Sequence, residues 1–250
     1  MPAPGRYLKQ NAFILETKEG RREIPIYSEE GFELLSHLWV RSAWQQKIYA
    51  RLTWMGIPIY QIPEDLLMLQ ELVFRVQPTV ILETGTAHGG SATFYASMLD
   101  LLGKGRVLSL GLHITEEARR TIEAHPMGRR ITLIPGSSTD SGVRARIREL
   151  IRPEDKVLVA LDSDHSSSHV RAELEAYAPL VTPGSYAVVF DGIMEVLADA
   201  PDGKSKWTTD NPSSAVRDFL SAHPEFEADP HYNRLRVTYC PGGFLRRKAS

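Results

Sequence analysis

Five short apolar runs, separated by amphipathic stretches, constrain this 250-residue chain more than any other feature. They are Thr79–Glu83, Arg106–Leu110, Ile131–Ile134, Lys156–Leu161 and Ser185–Phe190, each four to six residues and rich in Val, Ile and Leu. Runs this short and this uniformly apolar read as strands buried on both faces. The segments between them, Ser91–Leu102, Glu116–His125, Val143–Ile151 and His169–Leu180, carry helical patterning. Strands alternating with helices predict an α/β fold with a doubly wound, mostly parallel, Rossmann-like sheet. After Asp191 the sequence predicts a loop over Met194–Asn211 and a helix over Ser213–Ala222. Two strands, Phe226–Asp229 and Arg234–Tyr239, are predicted as an antiparallel edge, with Pro241-Gly-Gly243 ending the last one.

Residues 1–62 read differently. They hold three of the four tryptophans, Trp39, Trp44 and Trp54, and a helical stretch from Glu29 to Ala50 with apolar Phe32, Leu35, Leu38, Trp39 and Ile48. This predicts an N-terminal helical extension (1–62) ahead of a main domain (63–250) that begins with a helix at Pro63. The extension would contact substrate or a second copy, since its aromatic face needs a burial partner. Lys+Arg 29 against Asp+Glu 31 speaks against a nucleic-acid binder. No apolar run approaches ~18 residues, so no transmembrane helix is expected, and the start Met1–Arg6 has no apolar signal core. A single cysteine, Cys240, leaves neither an intrachain disulfide nor a cysteine metal cluster. A cytoplasmic enzyme is the expectation.

Ligands of open α/β sheets bind beyond the carboxyl ends of the strands. After the first predicted strand stands Glu83-Thr-Gly-Thr-Ala-His-Gly-Gly90, then Ser91 and a helix. Gly85, Gly89 and Gly90 let the backbone approach a ligand, and the helix start offers free N–H groups. The spacing is not that of a dinucleotide loop, and acidic Glu83 suits a cationic ligand. S-adenosylmethionine, with its sulfonium and ammonium, fits; a turn that only packs helix on strand is the bland alternative. After the fourth strand comes Asp162-Ser-Asp-His165, and after the fifth Asp191. Carboxylates on neighbouring strand ends can hold a divalent cation, and His165 can accept a proton from a hydroxyl. Asp162 or Asp164 could instead cap the following helix.

These blocks carry a resemblance. Trp54-Met-Gly56, Pro63-Glu-Asp-Leu66 with Gln70-Glu71, Glu83–Ser91, Gly136-Ser-Ser138, Leu161–His165, Tyr177–Ser185 and Pro241–Arg247 run in order from about 54 to 247. Together they resemble the cephalosporin hydroxylase family of S-adenosylmethionine-dependent O-methyltransferases, which is related to macrolide sugar O-methyltransferases. The resemblance implies a Rossmann-like methyltransferase sheet and a homo-oligomer. It implies S-adenosylmethionine lined by Glu83, Gly85, Thr86, His88, Gly89 and Ser91, with Ser137 and Ser138 on the adenine side. Asp162 and Asp191 would ligate Mg²⁺, and His165 would be the base beside them. The acceptor would be a hydroxyl of a sugar- or antibiotic-like small molecule.

The chain departs from the family pattern twice. Acids expected at the end of the second strand, one of them a ribose acceptor, are replaced in Leu110-Gly-Leu-His113. His113, Glu116 or Glu117 could substitute, or His113 could be an ordinary strand-end histidine. The expected Glu-Asp ending the fifth strand is Phe190-Asp191, which would make the pocket drier; Glu195 could swing back. The function expected is O-methylation in natural-product (antibiotic) biosynthesis. The alternatives are a methyltransferase scaffold reused for acid–base chemistry by His165 and Asp191, or a noncatalytic binding homologue. The 192–212 loop reads as a lid, with Trp207 stacking on a substrate ring or serving as a packing anchor.

Overall fold

The computed structural model describes residues 11–17 and 20–249. A hairpin of β1 (Ala12–Thr17) and β2 (Gly20–Pro25) leads into α1 (Glu29–Gln45), and a second small hairpin pairs β3 (Thr53–Trp54) with β4 (Ile57–Pro58). Ser28 starts α1 by accepting the Gly31 N–H at 3.0 Å, and Glu29 and Glu30 sit at its positive end. The helix predicted to reach Ala50 stops at Gln45. Lys47 adopts a left-handed conformation there, and a 3-10 turn, Ile48–Arg51, follows.

The main sheet alternates with helices along the chain. α2 (Pro63–Val76) precedes β5 (Val80–Thr84), α3 (Gly90–Leu101), β6 (Arg106–Gly111), α4 (Glu116–Ala124) and β7 (Ile131–Pro135). Then come α5 (Ser141–Leu150), β8 (Val157–Leu161), α6 (Ser167–Tyr177) and β9 (Tyr186–Val189). α7 (Met194–Leu197), α8 (Pro212–Ala222), β10 (Phe226–Ala228) and β11 (Phe244–Arg247) complete it. Seven strands lie in the order β10-β11-β9-β8-β5-β6-β7. The five predicted runs are parallel, and β10 and β11 form the antiparallel edge.

Successive residues of each central strand serve opposite cores, as a pleat requires. Val80 and Leu82 join a core with Ile147 of α5, Leu174 of α6 and Phe219 of α8. Ile81, between them, joins one with Leu72 of α2 and Phe94 of α3. Double burial is why these strands appear in the sequence as mostly apolar runs rather than alternating ones.

One expectation for the sheet edge is corrected. Arg234–Tyr239 is not a strand: Arg236 adopts φ 64°, and Asn233 binds the Cys240 carbonyl and the Gly242 N–H in a compact turn. The edge strand is instead Phe244–Arg247, whose Phe244 and Leu245 are fully buried against β9. α1 packs through its small residues and leaves its aromatic face open. Gly31, Ser36, Val40 and Ala43 are buried, while Phe32, Leu35, Leu38 and Trp39 are 40–49 % exposed.

Candidate active site

β5 is flanked by β6 on one side and β8 on the other, so the strand order reverses around it. Connections depart in opposite directions there and leave a crevice. Gly85 sits at its centre with φ 94°; a Cβ at that position would stand 1.8 Å from the Asp162 carbonyl oxygen. Only glycine lets the ends of β5 and β8 approach this closely. Two cavities adjoin here and share Gly85–Ala87, Asp162 and Ser163 as walls.

The first, of about 350 Å³, has Asp162, His165 and Asp191 on its wall. One ligand atom from each lies within 4.8 Å of the others, and His165 Nε2 is 3.0 Å from Asp191 Oδ2. Asp191 reaches the group because φ 56° turns the chain sharply after β9, a conformation aspartate tolerates better than most residues. Gln61 donates to Asp162 Oδ2 at 3.1 Å. Burial, with the charges of Asp191 and Glu83, holds the Asp162 carboxyl well above the usual carboxylate range. Two carboxylates and an imidazole so crowded are a donor set that a hard divalent cation relieves.

Glu83 is 1 % exposed. Its Oε2 accepts from Ser109 at 2.6 Å, while Oε1 has no hydrogen-bond partner among the described residues. Burial pushes the carboxyl up to about 7, although Ser109 and Ser91 favour its charged form. Glu83 lines neither cavity, but its buried, orphaned carboxylate oxygen is a feature that a cationic ligand group such as an ammonium would satisfy. Thr86 and Ser91 line the first cavity, and His88 lines it while bonded through Nε2 to Tyr60 Oη at 2.9 Å. Gly89 caps α3 behind them.

The second cavity, of about 340 Å³, takes in Gly111–His113, Gly136–Ser138, Asp164 and His169. His113, Ser137 and Ser138 thus fall together. Glu116, offered as a stand-in for the ribose acid, pairs with Arg120 at 2.9 Å and is not on this wall. Asp164 accepts the Ser166 N–H at 2.8 Å in a local turn and does not cap α6, whose N-cap is Ser166. A Cβ on Gly111 would lie 2.9 Å from both Thr86 Oγ1 and Ile114 Cγ1, so the space for an acid is filled.

Three further expectations change. Phe190 lines neither cavity; it is 3 % exposed in the core with Val188 and Phe244, so it does not dry the pocket. Glu195 is held in a two-bond pair with Arg217, at 2.7 and 3.0 Å. Cys240, whose place near the final strand reads as lying away from the strand ends, is instead close to them: burial and the charges of Asp65, Asp191 and Asp162 push its thiol up. Trp207 and Met194 bring the 192–212 segment to the first cavity, where Trp207 meets Trp44 edge-on at 5.8 Å. Arg41 of α1 holds that segment through the Val196 carbonyl and through Asp199 at 2.8 Å.

Trp44, Tyr49, Tyr60, Gln61 and Tyr239 also line the first cavity, and none was singled out as a site residue. Tyr239 is placed by the fully buried Asp65, which accepts from the Tyr239 N–H at 2.8 Å and Thr238 Oγ1 at 2.6 Å. The Pro63-Glu-Asp block was its only sequence signal.

Against known proteins, residues 46–248 match the family model for rhamnosyl O-methyltransferase/CmcI. Rhamnosyl O-methyltransferase of Mycobacterium tuberculosis (strain H37Rv) is 29% identical over 210 residues, covering 80% of each chain. The Mycobacterium leprae protein of the same name is 29% identical over 200 residues, 78% of this chain and 83% of its own. Among solved structures, apo CmcI-N160 superposes with a TM-score of 0.58 at 19% identity, covering 84% of each chain. CmcI-D160 with Mg and SAM gives 0.55 at 19% identity, over 80% of this chain and 78% of that one. These two likenesses concern the fold. Among the described residues, no helix is long and apolar enough to cross a membrane.

Proposed function

Because this chain belongs to the rhamnosyl O-methyltransferase/CmcI family, we propose that it O-methylates a hydroxyl on a sugar-bearing small molecule of specialised, antibiotic-like metabolism. S-adenosylmethionine and Mg²⁺ would be its cofactors. The observation that carries this is the convergence of Asp162, His165 and Asp191 within 4.8 Å in a cavity that shares the Gly85 loop with its neighbour. When bound, S-adenosylmethionine supplies the methyl group and Mg²⁺ the positive charge that makes a hydroxyl more acidic. Glu83 and the loop Gly85, Thr86, His88, Gly89 and Ser91 bind the amino-acid end. Ser137, Ser138 and His113 face the nucleoside end. Asp162 and Asp191 hold the metal. His165 takes the hydroxyl proton, and Asp191, paired to its Nε2, steadies the imidazolium that results.

Residues 1–62 form the acceptor side in this reading, supported by Trp44, Tyr49 and Tyr60 on the cavity wall. The exposed Phe32, Leu35, Leu38 and Trp39 support self-association through α1. Calorimetric titration with S-adenosylhomocysteine, followed by mass detection of methyl transfer to a rhamnoside, tests the proposal. No heat at millimolar ligand sinks it. The 3.0 Å His165–Asp191 pair, with the filled Gly111 position, favours a second reading, acid–base catalysis without methyl transfer. That reading gains if the titration is silent while His165→Ala abolishes a measurable turnover.

A further inference from the structure

α6 presents His169, Glu173 and Tyr177 at four-residue spacing, which puts all three on one face. This face ties two strand-end loops together. Tyr177 Oη donates to the Ser138 carbonyl at 2.6 Å, behind the loop after β7. Ser163, after β8, donates to Glu173 Oε1 at 2.7 Å. His169 Nε2 stands between them, 3.1 Å from Ser138 Oγ, 3.1 Å from Ser163 Oγ and 3.4 Å from Glu173 Oε1.

Because Ser163 gives its proton to Glu173, its oxygen is an acceptor, and His169 Nε2 carries a proton toward it. The ring's Nδ1 has no partner among the described residues. Glu173, fully buried, raises the His169 imidazole above its ordinary value, chiefly through their hydrogen bond. The ring is therefore fixed at one nitrogen by the protein and left free at the other, and His169 lines the second cavity. Gly111, where the resemblance leads one to expect an acid, lines the same cavity.

We infer that His169 is a cofactor-contacting residue, whose free Nδ1 hydrogen-bonds the purine of the nucleoside in the second cavity while Glu173 and Ser163 orient the ring. The inference rests on the cofactor reading above and adds to it the side of the cavity on which anchoring lies. It makes Glu173 a positioning residue.

Glutamine and asparagine separate the two nitrogens. The amide nitrogen of His169→Gln reaches where Nε2 was and keeps the ties to Ser163 and Ser138, but offers nothing at Nδ1. The amide of His169→Asn does the reverse. Titration of S-adenosylhomocysteine into the full chain should give at least tenfold weaker binding for His169→Gln at an unchanged melting temperature. His169→Asn should melt earlier yet bind more tightly than His169→Gln. With Nε2 protonated, Nδ1 is an acceptor, so its partner on the purine is the 6-amino group. S-inosylhomocysteine, which lacks that group, should bind the wild type more weakly than the parent ligand, and that preference should vanish in His169→Gln. Wild-type affinity in His169→Gln, or an equal loss for both ligands, overturns the inference. A wild type silent to S-adenosylhomocysteine overturns the cofactor reading itself.

Discussion

Glu83→Gln should make this protein more stable and a worse binder, and both effects follow from one buried carboxylate. An exposed glutamate titrates near 4.5, and in the folded chain burial pushes Glu83 up to about 7. A carboxyl so raised favours the folded state while protonated. The advantage is present below 4.5 and is lost as pH climbs through 7. At 1.4 kcal/mol per pH unit of displacement, ionised Glu83 costs the fold on the order of 3 kcal/mol by pH 8. Glutamine keeps an acceptor for Ser109 and carries no charge. The stability gap in favour of Glu83→Gln should therefore widen by about 3 kcal/mol between pH 4.5 and 8, whatever constant offset the amide adds. Relief of Asp162, which Glu83 also raises, adds in the same direction. Urea unfolding of both proteins at pH 4.5, 6 and 8 reads the gap. The orphaned Oε1 is then what a cofactor ammonium would meet. S-adenosylhomocysteine should bind Glu83→Gln ten- to a hundredfold more weakly, the worth of about 1.5–3 kcal/mol for a charged hydrogen bond. A gap that stays constant with pH, or an unchanged affinity, refutes the reasoning.

Gly85→Ala places a Cβ 1.8 Å from the Asp162 carbonyl; unfolding should show a loss of about 3 kcal/mol or more, with metal and cofactor binding lost together in calorimetry. Gly111→Asp alone should destabilise by about 1–3 kcal/mol, because Thr86 and Ile114 fill the site. S-adenosylhomocysteine affinity should rise only when Ile114→Ala is added. Phe190→Glu puts a carboxylate into the core and should cost about 3 kcal/mol or more, with no gain in Mg²⁺ affinity by titration. Tyr239→Phe deletes a buried hydroxyl that has no partner among the described residues; its melting temperature should hold or rise.

The parallel strands could be read directly from Val80–Thr84 and its counterparts because burial on both faces leaves few polar residues in the runs, such as Ser109 and Thr132. The last edge strand could not. Arg234–Tyr239 has apolar residues at strand-like spacing, but Asn233 and Arg236 spend that segment on a turn, and Phe244–Arg247 lies past a Pro-Gly-Gly break. The same asymmetry governs the site. Asp162, His165 and Asp191 follow strand ends, and parallel strands carry their ends to one edge, so their meeting was foreseeable. Gln61, Trp44 and Tyr239 arrive from a hairpin, a helix and a turn whose positions are set by packing and by the buried Asp65, with no local pattern to announce them. His169, Glu173 and Tyr177 lie between these cases. Their four-residue spacing is visible in the sequence, but the partners that give it meaning, Ser138 and Ser163, belong to other strands.

Gly111 and Phe190, the two positions where the family resemblance leads one to expect an acid, sit in physically different surroundings. At Gly111 the vacated volume is taken up by Thr86 and Ile114, and Thr86 Oγ1 bonds Ser109 Oγ at 2.9 Å. Ser109 is the donor to Glu83, so filling that space and orienting the Glu83 carboxylate are parts of one network. An acid restored there would disturb Glu83, and this is why Gly111→Asp must be accompanied by Ile114→Ala. At Phe190 the side chain points into the core between Val188 and Phe244, and no neighbour at the cavity has taken over its charge; Glu195 is committed to Arg217. A metal there would be held by two carboxylates, Asp162 and Asp191, with His165 beside them as the base. On the proposed reading, the first departure is filled by packing next to the cofactor site and the second leaves a weaker field on the cation. Mg²⁺ affinity should therefore suffer more than cofactor affinity, a ranking that titrating each alone into the wild type measures. Cofactor binding that fails while Mg²⁺ binds tightly would reverse the argument.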